Sequence, residues 1–489
     1  MRPTGLQWLR WTGAIGTVWL AACQAESGPK QWPDDYADLM DPETCRECHP
    51  DHVRQWEGSM HAYAADDPVF LAMNRRGQRE TNGELGDFCI KCHAPMAVAL
   101  ETTVDGLNVG ELPQWQKGVT CYFCHNTIAA DGTHNNPLEL ARDGVMRAAV
   151  DEPVPNPVHE SAYSSLLHET QFDSSRMCGS CHDIVTPRGL DLERTYKEWQ
   201  NSVFSHAHPT DPDRPALYAT MCTQCHAETT DGPISTYEGA RGDRSHHDHR
   251  FVGIDVALTP FPTPELAPVV QADQLAGIAE ARDRALCTTL CVESFPEQGR
   301  SVVTAWLHNE GSGHSWPSGA AQDRRAWVEV IARSAAGVVF ESGVVAEGQP
   351  VVGLPDPSLW LLRDTLFDDL GQEVHMFWDA ARYESNLLTI VPDLSSEQQT
   401  WVSRRYEIPD GAPQEVTMRV RLRPMGLDVL DDLIASGDLA PAVRAAMITQ
   451  EAPLTRRVWT PTTGEPSPLG GTCVHQSVSC FAPQTKASP

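Results

Sequence analysis

Cys45-Arg-Glu-Cys48-His49 is the first of five Cys-x-x-Cys-His motifs that decide how this chain folds. The second to fifth motifs are Cys89-Ile-Lys-Cys92-His93, Cys121-Tyr-Phe-Cys124-His125, Cys178-Gly-Ser-Cys181-His182 and Cys222-Thr-Gln-Cys225-His226. Such a motif is typical of c-type haem attachment, because its two thiols can form thioether bonds to one haem and the next imidazole can bind the iron. The sequence therefore predicts five covalently bound c-type haems, with His49, His93, His125, His182 and His226 as iron ligands. Structural zinc is the alternative for a lone Cys-x-x-Cys pair, and five pairs that are each followed by histidine disfavour it.

The composition agrees with a globular protein of two or three domains, since the chain has 489 residues and ordinary apolar content. Its formal net charge of -29 argues against nucleic acid or an anionic membrane surface as the partner. We expect redox partner proteins with basic docking surfaces.

The first 22 residues have the pattern of a signal peptide. Arg2 and Arg10 flank the amphipathic start, and the apolar run from Trp11 to Ala22 is too short to span a membrane. The run ends in Leu20-Ala21-Ala22-Cys23, which resembles the lipobox of bacterial lipoproteins and implies that Cys23 carries a lipid. We expect an exported protein, in the periplasm or at the cell surface, anchored to the outer membrane through Cys23, with residues 23–40 as the linker. An ordinary signal peptide with an incidental cysteine is the alternative.

The segment around the first motif predicts a helix. Asp41 is placed as its N-cap, with Pro42 in the first turn, and the helix would run toward Ala64. On such a helix His61 lies about 18 Å further along the axis than His49, at about 1.5 Å per residue, so it would serve a different haem. His52 shares a face with His49 and is either a ligand of a neighbouring haem or a residue beside one.

This segment also resembles a known family. Cys45-x-x-Cys48-His49 followed by Trp56-x-x-Ser59-x-His61-Ala62 is similar to the opening of the cytochrome c-554 type of multihaem cytochrome, which is related to hydroxylamine oxidoreductase. The resemblance extends to Gly118–His125 and to residues 157–199, and it covers about residues 41 to 250. It implies that His61 is a distal iron ligand. The count of motifs departs from the family, whose c-554 carrier has four haems and whose hydroxylamine oxidoreductase has eight.

Five irons need five sixth ligands, and the chain has 19 histidines, five of them in the motifs. Ligation by two histidines is therefore expected for most haems, giving lower potentials than a Met/His pair. The preferred distal candidates are His61, His134, His159, His168 and one of His247 or His249. An exposed or hydrogen-bonded histidine is the alternative for each of them. His314, in Gly313-His314-Ser315-Trp316-Pro317-Ser318-Gly319, is either a ligand across a domain boundary or a turn residue, and Met96 and Met177 are expected in the core.

The predicted fold is α+β and multidomain. Residues 41–250 form the pentahaem cytochrome domain, with short helices, long loops, little sheet and the macrocycles as its core, because fewer than about fifty residues separate most motifs. Residues 251–299 are a linker and helix, 300–425 a β-sandwich-like domain with β-branched alternating strands, and 426–489 a helical segment and loose tail. Cys287 and Cys291 are expected to be disulfide-bonded, to each other or to Cys473 and Cys480.

Three functions fit these patterns. Electron transfer along a chain of haems is favoured over substrate conversion. The alternative is an oxidoreductase that acts on a small nitrogen or sulfur compound at an open haem iron, but the chain has no Cys-x-x-Cys-Lys motif and no residue set that indicates catalysis. A structural or assembly role, with the β domain as a docking module, is the third.

Overall fold

The computed structural model describes residues 36–150, 152–205, 220–240, 242–283, 285–390, 401–409 and 411–476. The predicted signal peptide and the residues Cys23, His206, His208 and Cys480 lie outside these ranges. The N-terminal half is helical and rich in loops and the C-terminal half consists mainly of antiparallel sheets, so the α+β fold class is confirmed. Within these ranges no helix combines the length and the apolar content that crossing a bilayer requires.

The helices of the N-terminal half are mostly one or two turns long. They are α1 (Ala37–Met40), α2 (Pro42–Arg46), α3 (Pro50–Glu57), α4 (Met60–Tyr63), α5 (Pro68–Glu80), α6 (Ile90–His93), α7 (Pro95–Ala99), α8 (Cys121–Asn126), α9 (Phe172–Gly179), α10 (Thr195–Gln200) and α11 (Cys222–His226). Proline begins α2, α3, α5 and α7, where its missing N–H costs no hydrogen bond.

The single helix that was expected from Asp41 to Ala64 is wrong, because the chain breaks twice and forms α2, α3 and α4. Asp41 does cap α2, accepting a hydrogen bond from the Glu43 N–H at 3.0 Å. His49 then leaves the helical region, with φ -124° and ψ 53°, and Pro50 starts a new helix. The side chain of Ser59 caps α4. These breaks separate the axes on which His49 and His61 lie.

Sheet in the N-terminal half is limited to two-stranded ladders, as expected. The strands are β1 (Thr127–Ala130), β2 (Leu138–Leu140), β3 (Val145–Ala148), β4 (Glu160–Tyr163), β5 (Ile184–Val185), β6 (Asp191–Glu193), β7 (Thr229–Gly232) and β8 (Arg244–His247). They pair in consecutive twos, with β3–β4 parallel and the others antiparallel. Apolar clusters in this half are small, such as Leu39, Met40, Met96, Tyr122, Phe123 and Leu140.

The C-terminal half contains a sandwich of two antiparallel sheets and a separate three-stranded antiparallel sheet. Its strands are β9 (Leu286–Phe295), β10 (Arg300–Asn309), β11 (Arg325–Ser334), β12 (Gly337–Ser342), β13 (Trp360–Leu362), β14 (Asp364–Phe367), β15 (Glu373–Val374), β16 (Arg382–Ser385), β17 (Val402–Ile408), β18 (Glu415–Arg423), β19 (Gln450–Glu451), β20 (Arg457–Trp459), β21 (Glu465–Pro466) and β22 (Thr472–His475). One sheet has the order β17-β10-β9-β22-β21, and the other has β12-β11-β18-β19 with β13 and β20 attached. Alternate residues of β10, β11 and β18, such as Val303, Val328 and Val420, pack in the shared core. This two-residue repeat is the one expected for a strand with one face buried.

The sandwich takes in residues outside the predicted boundaries. β9 comes from the segment interpreted as a linker, and β22 comes from the segment interpreted as a loose tail. A disulfide joins Cys291 of β9 to Cys473 of β22, and Cys287 is disulfide-bonded as well. A bond between Cys287 and Cys291 is thereby excluded.

The remaining α-helices in the described residues are α12 (Ala267–Asp283), which lies between the two halves in the sequence, and α13 (Leu427–Ala435) and α14 (Pro441–Ala446) of the C-terminal half. Val69 and Ala72 of α5 pack in one apolar cluster with residues of α13 and α14. Beside them the Arg79 guanidinium lies 2.6 Å from a carboxylate oxygen of Asp438. The N-terminal half therefore contacts the C-terminal half through α5.

A buried charge network lies behind this contact. The Arg325 side chain is fully buried and pairs with Asp428 at 2.5 Å. His375 places Nε2 3.4 Å from Asp428 and Nδ1 3.1 Å from Asp432. Hydrogen bonding to Asp428 raises the pKa of His375, although burial and Arg325 lower it. The carboxyl of Asp323 lies near both Arg325 and His375.

Candidate haem-binding site

Each motif is held in about one helical turn, which places its thiols and its imidazole together. The His49 N–H donates to the Cys45 carbonyl at 2.7 Å, and the histidines of the second and fourth motifs make the same bond at 3.3 Å and 3.1 Å. This i to i-4 bond is the unit of an α-helix. The motif cysteines of the first four motifs are partly accessible, and Cys225 is exposed.

Four motif histidines have Nδ1 fixed by a backbone carbonyl. His49 Nδ1 lies 2.7 Å from Ile234 O, His93 Nδ1 2.8 Å from Ala64 O, His125 Nδ1 2.5 Å from Arg147 O and His226 Nδ1 2.7 Å from Val252 O. A carbonyl can only accept, so Nδ1 carries the proton and Nε2 is free to bind iron. Burial lowers the pKa of all four imidazoles, which favours the neutral form that binds metals.

A second histidine ring faces four of the five motif histidines. The ring centroids are 6.5 Å apart for His49–His159, 6.3 Å for His125–His249, 6.2 Å for His182–His61 and 6.3 Å for His226–His314. An imidazole nitrogen binds a transition metal at about 2 Å, so two imidazoles on opposite sides of one iron have centroids about 6 Å apart. These four pairs therefore have the spacing of two axial ligands.

The hydrogen bonds and the pKa values of the facing histidines also favour iron binding. His159, His249 and His314 place Nδ1 at 3.0 Å, 2.9 Å and 2.8 Å from the carbonyls of Glu160, His247 and Ser315. Burial lowers the pKa of His61 to about 3 and that of His314 to about 4. His61 and His314 therefore stay neutral near pH 7.

Three other distal candidates lie away from the motif histidines. The exposed His134 has its ring beside the Thr133 hydroxyl at 3.3 Å. Nδ1 of His168 lies 3.1 Å from the Thr170 hydroxyl. His247 directs Nε2 toward Glu169 at 3.9 Å, and of the pair His247 and His249 it is His249 that faces a motif. Local polar partners, which the spacing of histidines along the chain does not reveal, account for these positions.

The sequence does not place His314 among the preferred distal candidates, and the structure places it opposite His226. Its loop joins β10 to β11 and is held by Glu198 of α10, whose carboxylate accepts bonds from the Ser315 N–H at 3.1 Å and the Ser318 hydroxyl at 2.7 Å. The Asn309 amide donates to the His314 carbonyl at 2.6 Å. The stretch Gly313–Gly319 is the feature of the sequence that pointed to His314.

His93 has a different environment. Among the described residues no histidine ring faces it, and the ring of Phe70 stacks on it at 4.0 Å with an angle of 5°. This contact and the bond to Ala64 fix the orientation of the imidazole. Among the described residues, His93 is therefore the one histidine that would bind an iron held at the second motif.

His182 of the fourth motif has a carboxylate beside Nδ1 where the others have a carbonyl. Oε1 of Glu193 lies 3.8 Å from that nitrogen. Burial lowers the pKa of His182, but Glu193 outweighs it and the net shift is upward. The His182 side chain is 55% accessible.

His52 and His246 lie near the first and third motifs. Neither ring is placed opposite a motif histidine as a second ligand of the same iron would be. The His52 ring is 5.8 Å from that of His49, 4.8 Å from His249 and 5.1 Å from His246. Burial, followed by the neighbouring histidines, lowers the pKa of His52 to about 4. Of the two interpretations of His52, this position matches that of a residue beside a haem.

The motifs contact one another in an order that differs from their order in the sequence. The thiol of Cys45 interacts with that of Cys121, which joins the first and third motifs. Cys92 interacts with Cys181, and Cys178 with Cys222, which joins the fourth motif to the second and the fifth. The thiol of Cys124 acts on both cysteines of the fourth motif. The fourth motif therefore contacts the second and fifth motifs and lies within electrostatic range of the third.

The residues present fit covalently attached haem. Two thiols and one imidazole lie within one helical turn at each motif, and at four motifs a carbonyl bound to Nδ1 leaves Nε2 available for iron. Across the described ranges no three His, Cys, Asp or Glu side chains are grouped closely enough to hold a metal ion by themselves, which a structural zinc site would require.

Comparisons with known proteins agree with this geometry. Residues 44–126 match the family model described as cytochrome c554 and c-prime, and no curated protein matches the chain. The fold is similar to the crystal structure of a penta-heme cytochrome c552 from Thermochromatium tepidum, with a TM-score of 0.57 and 18% identity over 86% of this chain and 98% of that one. Residues 44–126 are therefore similar to the cytochrome c554 and c-prime family, and the chain shares the fold of that crystal structure.

Proposed function

We propose that the chain binds five c-type haems and carries electrons in the bacterial cell envelope. The observation that carries this proposal is the set of four histidine pairs at 6.2 to 6.5 Å, together with the contacts between motifs. When bound, the haems supply one-electron carriers whose potentials depend on their ligands. The chain's own residues fix those ligands and hold the attachment sites side by side.

The proposed path is branched rather than a single wire. The first and third motifs form one arm, which reaches the fourth motif through Cys124. From there the contacts divide toward the second and the fifth motifs. Such a layout can collect electrons at one arm and distribute them to two ends.

The proposal includes export and lipid anchoring at Cys23, supported by the leader sequence and its lipobox-like end. The partners would be redox proteins with basic surfaces, because the net charge of -29 attracts cationic surfaces and steers their approach. Replacing Cys23→Ala tests the anchor: the protein is expected to move from the membrane fraction to the soluble periplasmic fraction. An unchanged distribution would refute it.

Haem content and spin state test the proposed cofactor set. The alkaline pyridine assay and the intact mass should each give five haems per chain, and ferric EPR should show four low-spin centres. A count below five, or low-spin signals fewer than the histidine pairs, would contradict the proposal. Electron passage is then measured by stopped-flow reduction followed by oxidation with a basic cytochrome, whose rate should fall as salt is added.

A second function is favoured by the environment of His93. Because no described histidine faces it, the second motif is the place where a small nitrogen or sulfur compound could reach an iron. A high-spin ferric signal that shifts when nitrite, hydroxylamine or cyanide is added would support such an oxidoreductase. An exclusively low-spin spectrum that these additions leave unchanged would eliminate it.

A further inference from the structure

The contact between Glu193 and His182 differs in kind from its four counterparts. The other motif histidines donate Nδ1–H to neutral carbonyls at 2.5 to 2.8 Å, whereas His182 has a carboxylate oxygen at 3.8 Å. That distance exceeds a hydrogen bond. It is a charge contact, and it is present at one motif alone among the five.

The position of Glu193 is fixed by the fold. It is the last residue of β6, which pairs back on β5 immediately after the fourth motif, with Glu193 opposite Ile184. Its side chain is 20% exposed. Its neighbour Arg194 is directed to Asp183 and Asp191 instead, so in the described structure His182 is the basic group within ion-pairing distance of Glu193. The short β5–β6 ladder therefore holds a carboxylate against one imidazole.

A carboxylate in this position acts on the metal through its ligand. A negative charge close to a histidine that binds iron would stabilise the positive charge of the metal site, and such surrounding charges tune the potential of an iron centre. One-electron reduction removes one positive charge from iron. A fixed negative charge beside the ligand favours the ferric state and so opposes that reduction.

We infer that Glu193 is a positioning residue that lowers the redox potential at the fourth motif, which contacts the second and fifth motifs and lies within electrostatic range of the third. The inference rests on the proposed binding of five haems. A low redox potential at the fourth motif disfavours its reduced state, so electrons would pass on to the neighbouring motifs. Glu193 also lies within electrostatic range of His93, but the Nδ1 of His93 is already bound to the Ala64 carbonyl, so the second motif is expected to respond less.

Potentiometric titration followed by EPR tests the inference in the full chain, with dithionite as reductant. The substitution Glu193→Gln keeps the size of the side chain and removes its charge. We expect one low-spin centre to move upward in potential by at least a tenfold change in its redox equilibrium, which is about 59 mV for one electron. Asp191→Asn is the matched control, because it removes a charge two residues away on the same strand from a side chain that is 58% exposed and pairs with Arg194.

The outcomes separate the inference from the proposal it rests on. No shift in E193Q, or an equal shift in D191N, would overturn the role of Glu193 while the haem count stays at five. A haem count below five in the wild-type chain would instead refute the proposed function. Should E193Q fail to assemble, Glu193→Asp keeps the charge but withdraws it from His182, so it should give a smaller upward shift. A potential equal to that of the wild type in E193D would then overturn the inference.

Discussion

His314→Ala tests the pairing that joins the two halves of the molecule. The imidazole of His314 faces His226 at 6.3 Å, and the substitution removes that ring. The backbone anchor of the loop is kept, because the Asn309 amide donates to the His314 carbonyl rather than to its side chain. We therefore expect a folded protein with its full haem content in which one iron has lost an axial ligand.

The size of the effect follows from the count of pairs. Four motif histidines have a facing histidine in the wild-type chain and three would have one in H314A, so the low-spin ferric EPR intensity should fall by about one quarter, with a matching gain of high-spin signal. Loss of the histidine should also raise the potential of that centre, because a stable ferric ligand has gone. Added imidazole should restore the low-spin signal.

His134→Ala is the control, since the sequence made both residues candidates and the structure leaves His134 exposed beside Thr133. H134A should keep the wild-type EPR spectrum. Unchanged low-spin intensity in H314A, or an equal loss in H134A, would refute the assignment of ligands by facing rings.

Three further predictions concern stability, each measured by urea unfolding. Replacing Cys291 and Cys473 by serine removes a disulfide that spans 182 residues, for which the chain-entropy estimate of the lost unfolding free energy is about 5 kcal/mol at most. A smaller loss of stability is expected because Cys287 stays disulfide-bonded. Unchanged stability would contradict the pairing. Arg325→Met leaves the carboxylate of Asp428 with His375 as its remaining partner, and should cost about 3 kcal/mol, the lower end for breaking a buried ion pair; a loss under about 1 kcal/mol would refute this. The pKa of His375 is raised in the folded protein, so the stability it contributes is complete below its ordinary pKa of about 6.5 and is lost as pH rises through the raised value. His375→Gln should flatten that dependence, and an unchanged pH profile would show that His375 is not its source.

The sequence was most informative where the chemistry is local. A Cys-x-x-Cys-His motif needs neighbours within one helical turn, so its attachment cysteines and its histidine can be named without knowing the fold. The cap at Asp41 and the alternating strands of the sandwich are local in the same sense. These features follow from hydrogen bonds and side-chain direction over a few residues.

The facing ligands could not be derived in this way. His159, His249 and His314 reach their motifs through tertiary contacts, and one of them crosses from the other half of the chain. The spacing of His134 and His168 gave no indication of the threonine hydroxyls that they contact. Likewise the pairing of β22 with β9 joins residues far apart in sequence, where the cost of closing the chain is met by long-range contacts.

Because His314 comes from the C-terminal half, a truncated protein that contains only the haem motifs would lack one of the facing histidines. A fragment that ends at residue 250 would contain every attachment cysteine and would purify as a red protein. It would nevertheless lack the imidazole opposite His226, and its optical and magnetic spectra would describe a coordination that the whole chain does not have. Any reactivity found in that truncated form toward peroxide, cyanide or carbon monoxide would have to be assigned to the cut before it is assigned to the protein.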